Sequence, residues 1–506
     1  MLSPALMNKK TRIQKKETSS NLYDTLIMNA IVFDGSGATG VQKDVAIKGD
    51  RIVAIGQLNS ENATDIIDAK GLTLAPGFID VHTHDDLEVL RNPQMFNKIS
   101  QGVTTVIIGN CGISASPYAS NSSLIDPINL LGKKSEFSFP QLKDFIDKFN
   151  TIRPYVNVAA FVGHTSLRAQ VMTDLTKPAS KIELEHMLNI LKLALSQGAK
   201  GLSSGLAYGN AHAAPSNEIA LLVKQLKPFD AIYSTHLRTE FDHIIEALDE
   251  AFEAGKSADV PVVISHLKCA GKNNWGRSRE VLDHIEANQK HQEISCDCYP
   301  YNASSSTLDL QQVTDDFKIF ITWSEPHPEM AEQTLEDIAE QWQITLMDAA
   351  KRLQPAGAVY HGIAEADVRQ IIAAPFSMIG SDGLPCDPHP HPRLWGTFPR
   401  VLGHYSRDKK ILTLARAVHK MTGMSATQFK LAQRGFIRQN YFADLVLFDA
   451  NNVQDMASFA EPCTVSKGII KVWVNGKLSE QSQINTQNIE GAGRFLAHQL
   501  NIKNKG

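Results

Sequence analysis

No charge sign dominates this chain: 50 lysines and arginines face 54 aspartates and glutamates over 506 residues, a formal net charge of -4. That balance argues against nucleic acid or an anionic membrane as the principal partner. Long apolar runs are absent too. None approaches the ~20 residues a bilayer-spanning helix needs, and the first 22 residues, with Lys9, Lys10, Arg12, Lys15 and Lys16, lack the apolar centre of a secretory signal. A solvated basic tail is expected there. Cysteine is scarce, six residues in all, too few for a disulfide scaffold, so a reducing cytoplasm is the expected compartment. What the chain does have is length and 43% hydrophobic residues, enough for a large core.

Short apolar runs recur at 74–84, 104–109, 157–164, 201–206, 231–236, 260–266, 294–301 and 376–382. Helical periodicity follows several of them, at 183–197, 219–226, 243–254 and 278–290. Buried strands alternating with helices predict an α/β fold, and eight such runs predict a (β/α)8 barrel. Short β patterns with turns at 31–35, 44–56 and 443–478 do not fit a barrel; 23–75 and 431–485 are expected to pair as a small β-sandwich. The barrel is then 76–308 and 365–430. Residues 309–364, too long for a plain connection, predict an insert or lid after strand 7 with helical patterns at 330–341 and 346–353. A C-terminal helix and tail are expected over 486–506.

Catalytic groups of such barrels lie at the C-terminal strand ends. Those ends carry His82 and His84, Cys111 just beyond the second run, His164, His236, His266 with Lys268, Tyr299, and Asp382. His82 and His84 alternate on one face if their run is a strand, a half-site for a divalent metal. Cys296 and Cys298, one residue out of phase with Tyr299, are expected to look outward into the helix layer.

The chain resembles the metal-dependent amidohydrolases, and within them the D-aminoacylases (N-acyl-D-amino-acid deacylases). The motifs are Gly77-Phe78-Ile79-Asp80 leading to His82-Thr83-His84-Asp85-Asp86, Gly109-Asn110-Cys111-Gly112, Gly201-Leu202-Ser203-Ser204-Gly205, Thr235-His236-Leu237-Arg238, Ser265-His266-Leu267-Lys268, Tyr299-Pro300-Tyr301, Gly380-Ser381-Asp382-Gly383, and Arg393 with Gly396-Thr397-Phe398-Pro399-Arg400. The resemblance implies one tight Zn2+ on Cys111, His236 and His266. It implies a second, weaker metal position framed by His82, His84, Cys111 and Asp382, with Asp382 as general acid/base. By the same resemblance Lys268, Tyr299 and Arg393 clamp the substrate α-carboxylate. A thiolate with two imidazoles suits zinc and leaves a position for water or substrate.

The expected reaction is hydrolysis of an N-acyl-D-amino acid to a carboxylate and the free D-amino acid. The alternatives are an amidohydrolase of another N-acyl compound, cyclic amide or imide, and a non-catalytic oligomeric homologue. Three places depart from the family pattern: Thr239-Glu240-Phe241 stands where Asp-Glu-Gly is common, Asn440 before Tyr441-Phe442-Ala443-Asp444 stands where glycine is usual, and 304–314 matches poorly. General, D-glutamate-type and D-aspartate-type specificity all stay open.

Overall fold

The computed structural model describes residues 22–120, 124–479 and 490–498. The tail expected over 1–22 lies, but for Leu22, outside the described residues. Eight parallel strands form the centre: Phe78–Asp80, Val103–Ile108, Asn157–Ala160, Gly201–Gly205, Ile232–His236, Val262–Ile264, Ile294–Cys298 and Ser377–Ile379. They pair in chain order, the third strand continuing through Val162–Gly163 to meet the fourth. A parallel bridge between Thr83 and Gly383 joins the last to the first and closes the barrel.

Alternation along these strands sorts their side chains into two layers. Ile79, Val81, Ile107, Ala159, Phe161, Ile232, Val263 and Met378 fill the barrel interior as one cluster. Their neighbours Phe78, Val106, Ile108, Val158, Tyr233, Val262, Ile264 and Ile379 face the helices. Both faces are buried, which is why the strands read as continuous apolar runs. Outer helices include Lys181–Ser196, Ser216–Val223, Ile244–Ala258 and Ser278–Gln289. The first starts at a capping box: Ser180 Oγ accepts from Glu183 N while the Glu183 carboxylate accepts from Ser180 N. No helix among the described residues is long and apolar enough to cross a membrane.

The two chain ends share one hydrogen-bonded eight-stranded sheet. Its central junction is antiparallel, Thr73–Pro76 against Leu445–Phe448. The sheet curls over itself, so Ile27, Ile47 and Ile52 from one end pack with Leu445, Leu447 and Trp473 from the other. The single apolar run expected over 74–84 is therefore two strands. Thr73–Pro76 belongs to this sheet and Phe78–Asp80 to the barrel, and Gly77 N donates to Asp444 O at the switch.

Between the seventh and eighth barrel strands, Ser304–Thr307, Ala356–Tyr360, Ile319–Ser324 and Gln333–Thr334 form a four-stranded antiparallel sheet. Helices Leu335–Trp342 and Leu346–Leu353 cover it around their own core of Leu335, Ile338, Ala349 and Leu353. The helical pattern expected from 330 starts later, because 328–334 forms a short 3-10 turn and an edge strand. Residues 490–498 are not the expected helix. They run extended, with Phe495 bridging to Val158, and a side chain at Gly491 or Gly493 would collide with the backbone oxygen of Pro154 or Val156.

Candidate active site and metal centre

The strand ends bring Cys111 to the middle of the site. His82 Nε2 lies 3.1 Å and His266 Nε2 3.3 Å from its Sγ. Asp382 Oδ1 stands 3.4 Å from His82 Nε2 and 3.1 Å from His84 Nε2. The ligand atoms of His82, Cys111, His266 and Asp382 all fall within 4.8 Å of one another. His236 closes the opposite side, its ring 4.5 Å from that of His266, and forms a second potential ligand group with Glu240 and His266. His266 thus belongs to both groups, and Cys111 to the first.

Backbone strain marks the same residues. Cys111, His266 and Asp382 have φ of 53°, 35° and 50°, in the left-handed region that side chains other than glycine rarely enter. Three of the four clustered side chains are thus aimed inward by conformations that the surrounding structure has to enforce. The Cys111 loop is held by Asp86, whose carboxylate accepts from Gly109 N at 3.2 Å and Ala115 N at 3.0 Å. Asp382 is fixed by its own amide, which donates to His82 O at 2.8 Å.

Burial pushes the Cys111 thiol up, but the imidazoles of His82 and His266 more than reverse it and hold the group well below its ordinary value. Burial likewise opposes ionisation of Asp382, yet Arg393, His266 and His82 keep it well below the carboxylate range. A thiolate and a carboxylate side by side call for positive charge between the imidazoles. The donor set of one sulfur, several imidazoles and a carboxylate fits zinc.

Carboxylates that the sequence reading did not single out hold the ligands in place. Asp297 contacts His82 Nδ1 at 3.2 Å and accepts from His266 N at 2.9 Å. Glu240 lies 3.0 Å from His266 Nδ1 and 2.5 Å from Lys268 Nζ. Alternation could have revealed Asp297, which shares a strand face with Tyr299. Glu240 sits in a loop, where no periodicity speaks for it. Lys268 does reach His266, 2.8 Å from Nζ to Nδ1. Both residues lie in the loop beyond the strand, which ends at Ile264.

The three expected carboxylate-binding residues converge. The Arg393 guanidinium stacks over the Tyr299 ring at 4.7 Å and Lys268 Nζ stands 5.9 Å from that ring. Arg393 Nη2 pairs with Asp382 Oδ2 at 2.9 Å and donates to Ser305 O. Among the described residues, its Nε and Nη1 and the Tyr299 hydroxyl are buried donors without a protein partner. Buried donors of this kind are costly unless a ligand completes them. His391 Nδ1 accepts from Arg393 N at 3.0 Å, so the loop Pro388-His389-Pro390-His391-Pro392 anchors the arginine.

His164 stands apart from the centre. Its Nε2 lies 2.8 Å from Glu218, which also takes Arg168 Nη1 at 2.7 Å, all three buried. Burial pushes the Glu218 carboxyl up, but the His164 and Arg168 hydrogen bonds outweigh it and hold it at about 2. The folded value lies below the unfolded one, so this contribution is full above about pH 4.3 and is lost as pH falls through 2. Glu218→Gln is expected to lower stability by about 3–5 kcal/mol by leaving Arg168 buried and unpaired. The denaturation midpoint at neutral pH checks this; an unmoved midpoint contradicts it. Cys296 and Cys298 belong to the cluster facing the helices, where burial raises both thiols.

The amidohydrolase family model matches residues 65–343 and 330–479. D-aminoacylase of Alcaligenes xylosoxydans xylosoxydans is 45% identical over 95% of this chain and 99% of its own length. N-acyl-D-aspartate deacylase of the same organism is 45% identical over 90% and 91%. The crystal structure of N-acyl-D-glutamate deacylase from Bordetella bronchiseptica, complexed with zinc and a phosphonate mimic of the tetrahedral intermediate, superposes with a TM-score of 0.89. Its identity is 38%, covering 94% of this chain and 99% of that one. By sequence and by fold, this chain belongs to the amidohydrolase family, in its N-acyl-D-amino-acid deacylase branch.

Proposed function

We propose that this protein is a zinc-dependent hydrolase that cleaves the amide of N-acyl-D-amino acids to a carboxylate and a free D-amino acid. Cys111, His236 and His266 would hold the tight zinc, and His82, His84, Cys111 and Asp382 would frame the weaker position. The observation that carries this is the Cys111 thiolate lying 3.1 Å and 3.3 Å from two imidazoles, with an ionised Asp382 beside them. When bound, zinc supplies a Lewis acid for the acyl carbonyl and lowers the pKa of water.

The chain's own side chains do the rest. Asp382 Oδ1 accepts the proton that the attacking water loses and returns it to the departing nitrogen, so the C–N bond breaks as a C–O bond forms. Arg393, through Nε and Nη1, and the Tyr299 hydroxyl donate to the substrate α-carboxylate, with Lys268 alongside. Clamping the carboxylate while the scissile carbonyl meets the centre fixes two of the four directions at Cα, so one enantiomer places its side chain in the cavity. Asp297 acts as a positioning residue for His82 and His266. Asp297→Asn is expected to weaken zinc binding about 10–100-fold, measured by competition with a chromophoric chelator; unchanged affinity contradicts that role.

The division expected from the sequence, a two-ended β domain over 23–75 and 431–485, a barrel over 76–308 and 365–430 and an insert over 309–364, is kept with one shift: Ser304–Thr307 goes with the insert's sheet, so the insert supplies the cavity wall of 304–312, Gln354 and Tyr360. A cytoplasmic setting accords with six cysteines that are all unpaired. The test is hydrolysis of paired N-acetyl-D- and N-acetyl-L-amino acids with and without a chelator. Turnover of the D series alone, lost on chelation, is expected; preference for the L series would sink the proposal.

A further inference from the structure

The cavity of about 620 Å³ that opens from Asp382, His84 and His266 extends past Tyr208 to a wall made by residues 304–312 with Asp126 and Leu130. Tyr208 spans the two regions: its ring lies 5.0 Å from that of His236, and its hydroxyl reaches Ser306. The 304–312 segment also adjoins the carboxylate clamp, because Ser305 O accepts from Arg393 Nη2 at 3.1 Å. In an N-acyl amino acid the side chain leaves the same carbon as the clamped carboxylate, while the acyl group lies beyond the scissile bond. The wall next to the clamp therefore receives the side chain.

The charges on that wall are one-sided. Arg238 faces the cavity but is spent, donating to Glu250 at 2.7 and 2.8 Å and to the carbonyls of His212 and Ala214. Lys268 is held by Glu240, and His243, on the surface, lies 3.5 Å from Glu246. Against these stand two carboxylates, Asp126 and Asp309. Among the described residues neither has a cationic partner; Asp309 accepts only from Gln311 N and Gln312 Nε2, and Asp126 takes a hydrogen bond from Thr307. Asp126 is exposed and Asp309 half-buried. The rest of the wall is uncharged: Leu130, Leu308 and Leu310 are its apolar part, and Ser304, Ser306, Thr307, Gln311 and Gln312 its neutral polar part.

We propose that Asp126 and Asp309 set the side-chain specificity, excluding N-acyl-D-amino acids with anionic side chains and admitting neutral or cationic ones. The inference rests on the deacylase reading above and decides what 45% identity to an N-acyl-D-aspartate deacylase leaves open. An entering carboxylate would meet like charge with no counterion, whereas an ammonium or guanidinium group would find a partner.

The test compares kcat/KM of the zinc-loaded enzyme on the N-acetyl derivatives of D-leucine, D-lysine, D-glutamate and D-aspartate. The first two are expected to exceed the acidic pair by about 100-fold or more, and the double variant Asp126→Asn/Asp309→Asn to narrow that gap by about tenfold or more. Asparagine still caps Gln311, and an unshifted Tm shows that the variant folds. Equal or better turnover of the acidic substrates, or an unmoved gap in the folded variant, overturns the inference. So does a response of N-succinyl-D-leucine in place of N-acetyl-D-glutamate, which would put the two carboxylates at the acyl end. Inactivity on all four substrates overturns the deacylase reading itself, and with it this inference; it is distinct from activity with an acidic preference.

Discussion

Asp382→Asn is expected to lower kcat by about 10²–10⁴-fold, the range for a positioned general acid/base, while one zinc per chain stays bound. Asparagine keeps the shape of the side chain but cannot hold the proton that must travel from water to the amine. The tight zinc would rest on Cys111, His236 and His266, all untouched. Steady-state kinetics on an N-acetyl-D-amino acid, together with zinc content by elemental analysis, checks both halves. Loss of zinc in the variant would recast Asp382 as an essential ligand; near-normal kcat would remove it from the chemistry. Arg393 loses its 2.9 Å ionic partner in this variant, so a modest change in KM is expected besides.

Cys111→Ser should be at least as severe, and by a different route. The thiol lies among imidazoles that hold it ionised, and a soft thiolate is the ligand zinc favours. Serine at the same place stays protonated at neutral pH and offers a poor, hard donor. Cys111 stands within hydrogen-bonding range of His82 and His266, and the proposed tight and weak metal positions share it, so both lose a ligand. Zinc affinity and activity are expected to fall together, by more than the about 10–100-fold typical of an outer-shell partner. A serine variant that keeps stoichiometric zinc and turnover would contradict the placement of the metal.

Eight strands were legible because burial on both faces of a parallel sheet demands continuous apolar runs, and each run ends where a strand ends or just beyond. The insert's sheet was not, since Ser304–Thr307 reads Ser-Ser-Ser-Thr with no apolar alternation and pairs only through its partner Ala356–Tyr360. The split at Gly77 was hidden because two buried strands of different sheets abut without a polar break. At the centre, histidines, cysteine and Asp382 stand out as motifs. The positive φ at Cys111, His266 and Asp382 is not written in residue type; tertiary contacts impose it. Glu240 and Asp297 were passed over because carboxylates are common on surfaces, and only the fold shows that these two are buried behind the ligands.

Zinc add-back to the metal-stripped enzyme tests the central claim most directly. Activity on an N-acetyl-D-amino acid should be absent after chelation, rise linearly with added zinc and level off at one equivalent per chain, with the L-enantiomer inert throughout. Full activity in the stripped protein, or equal turnover of both enantiomers at the plateau, would contradict the account.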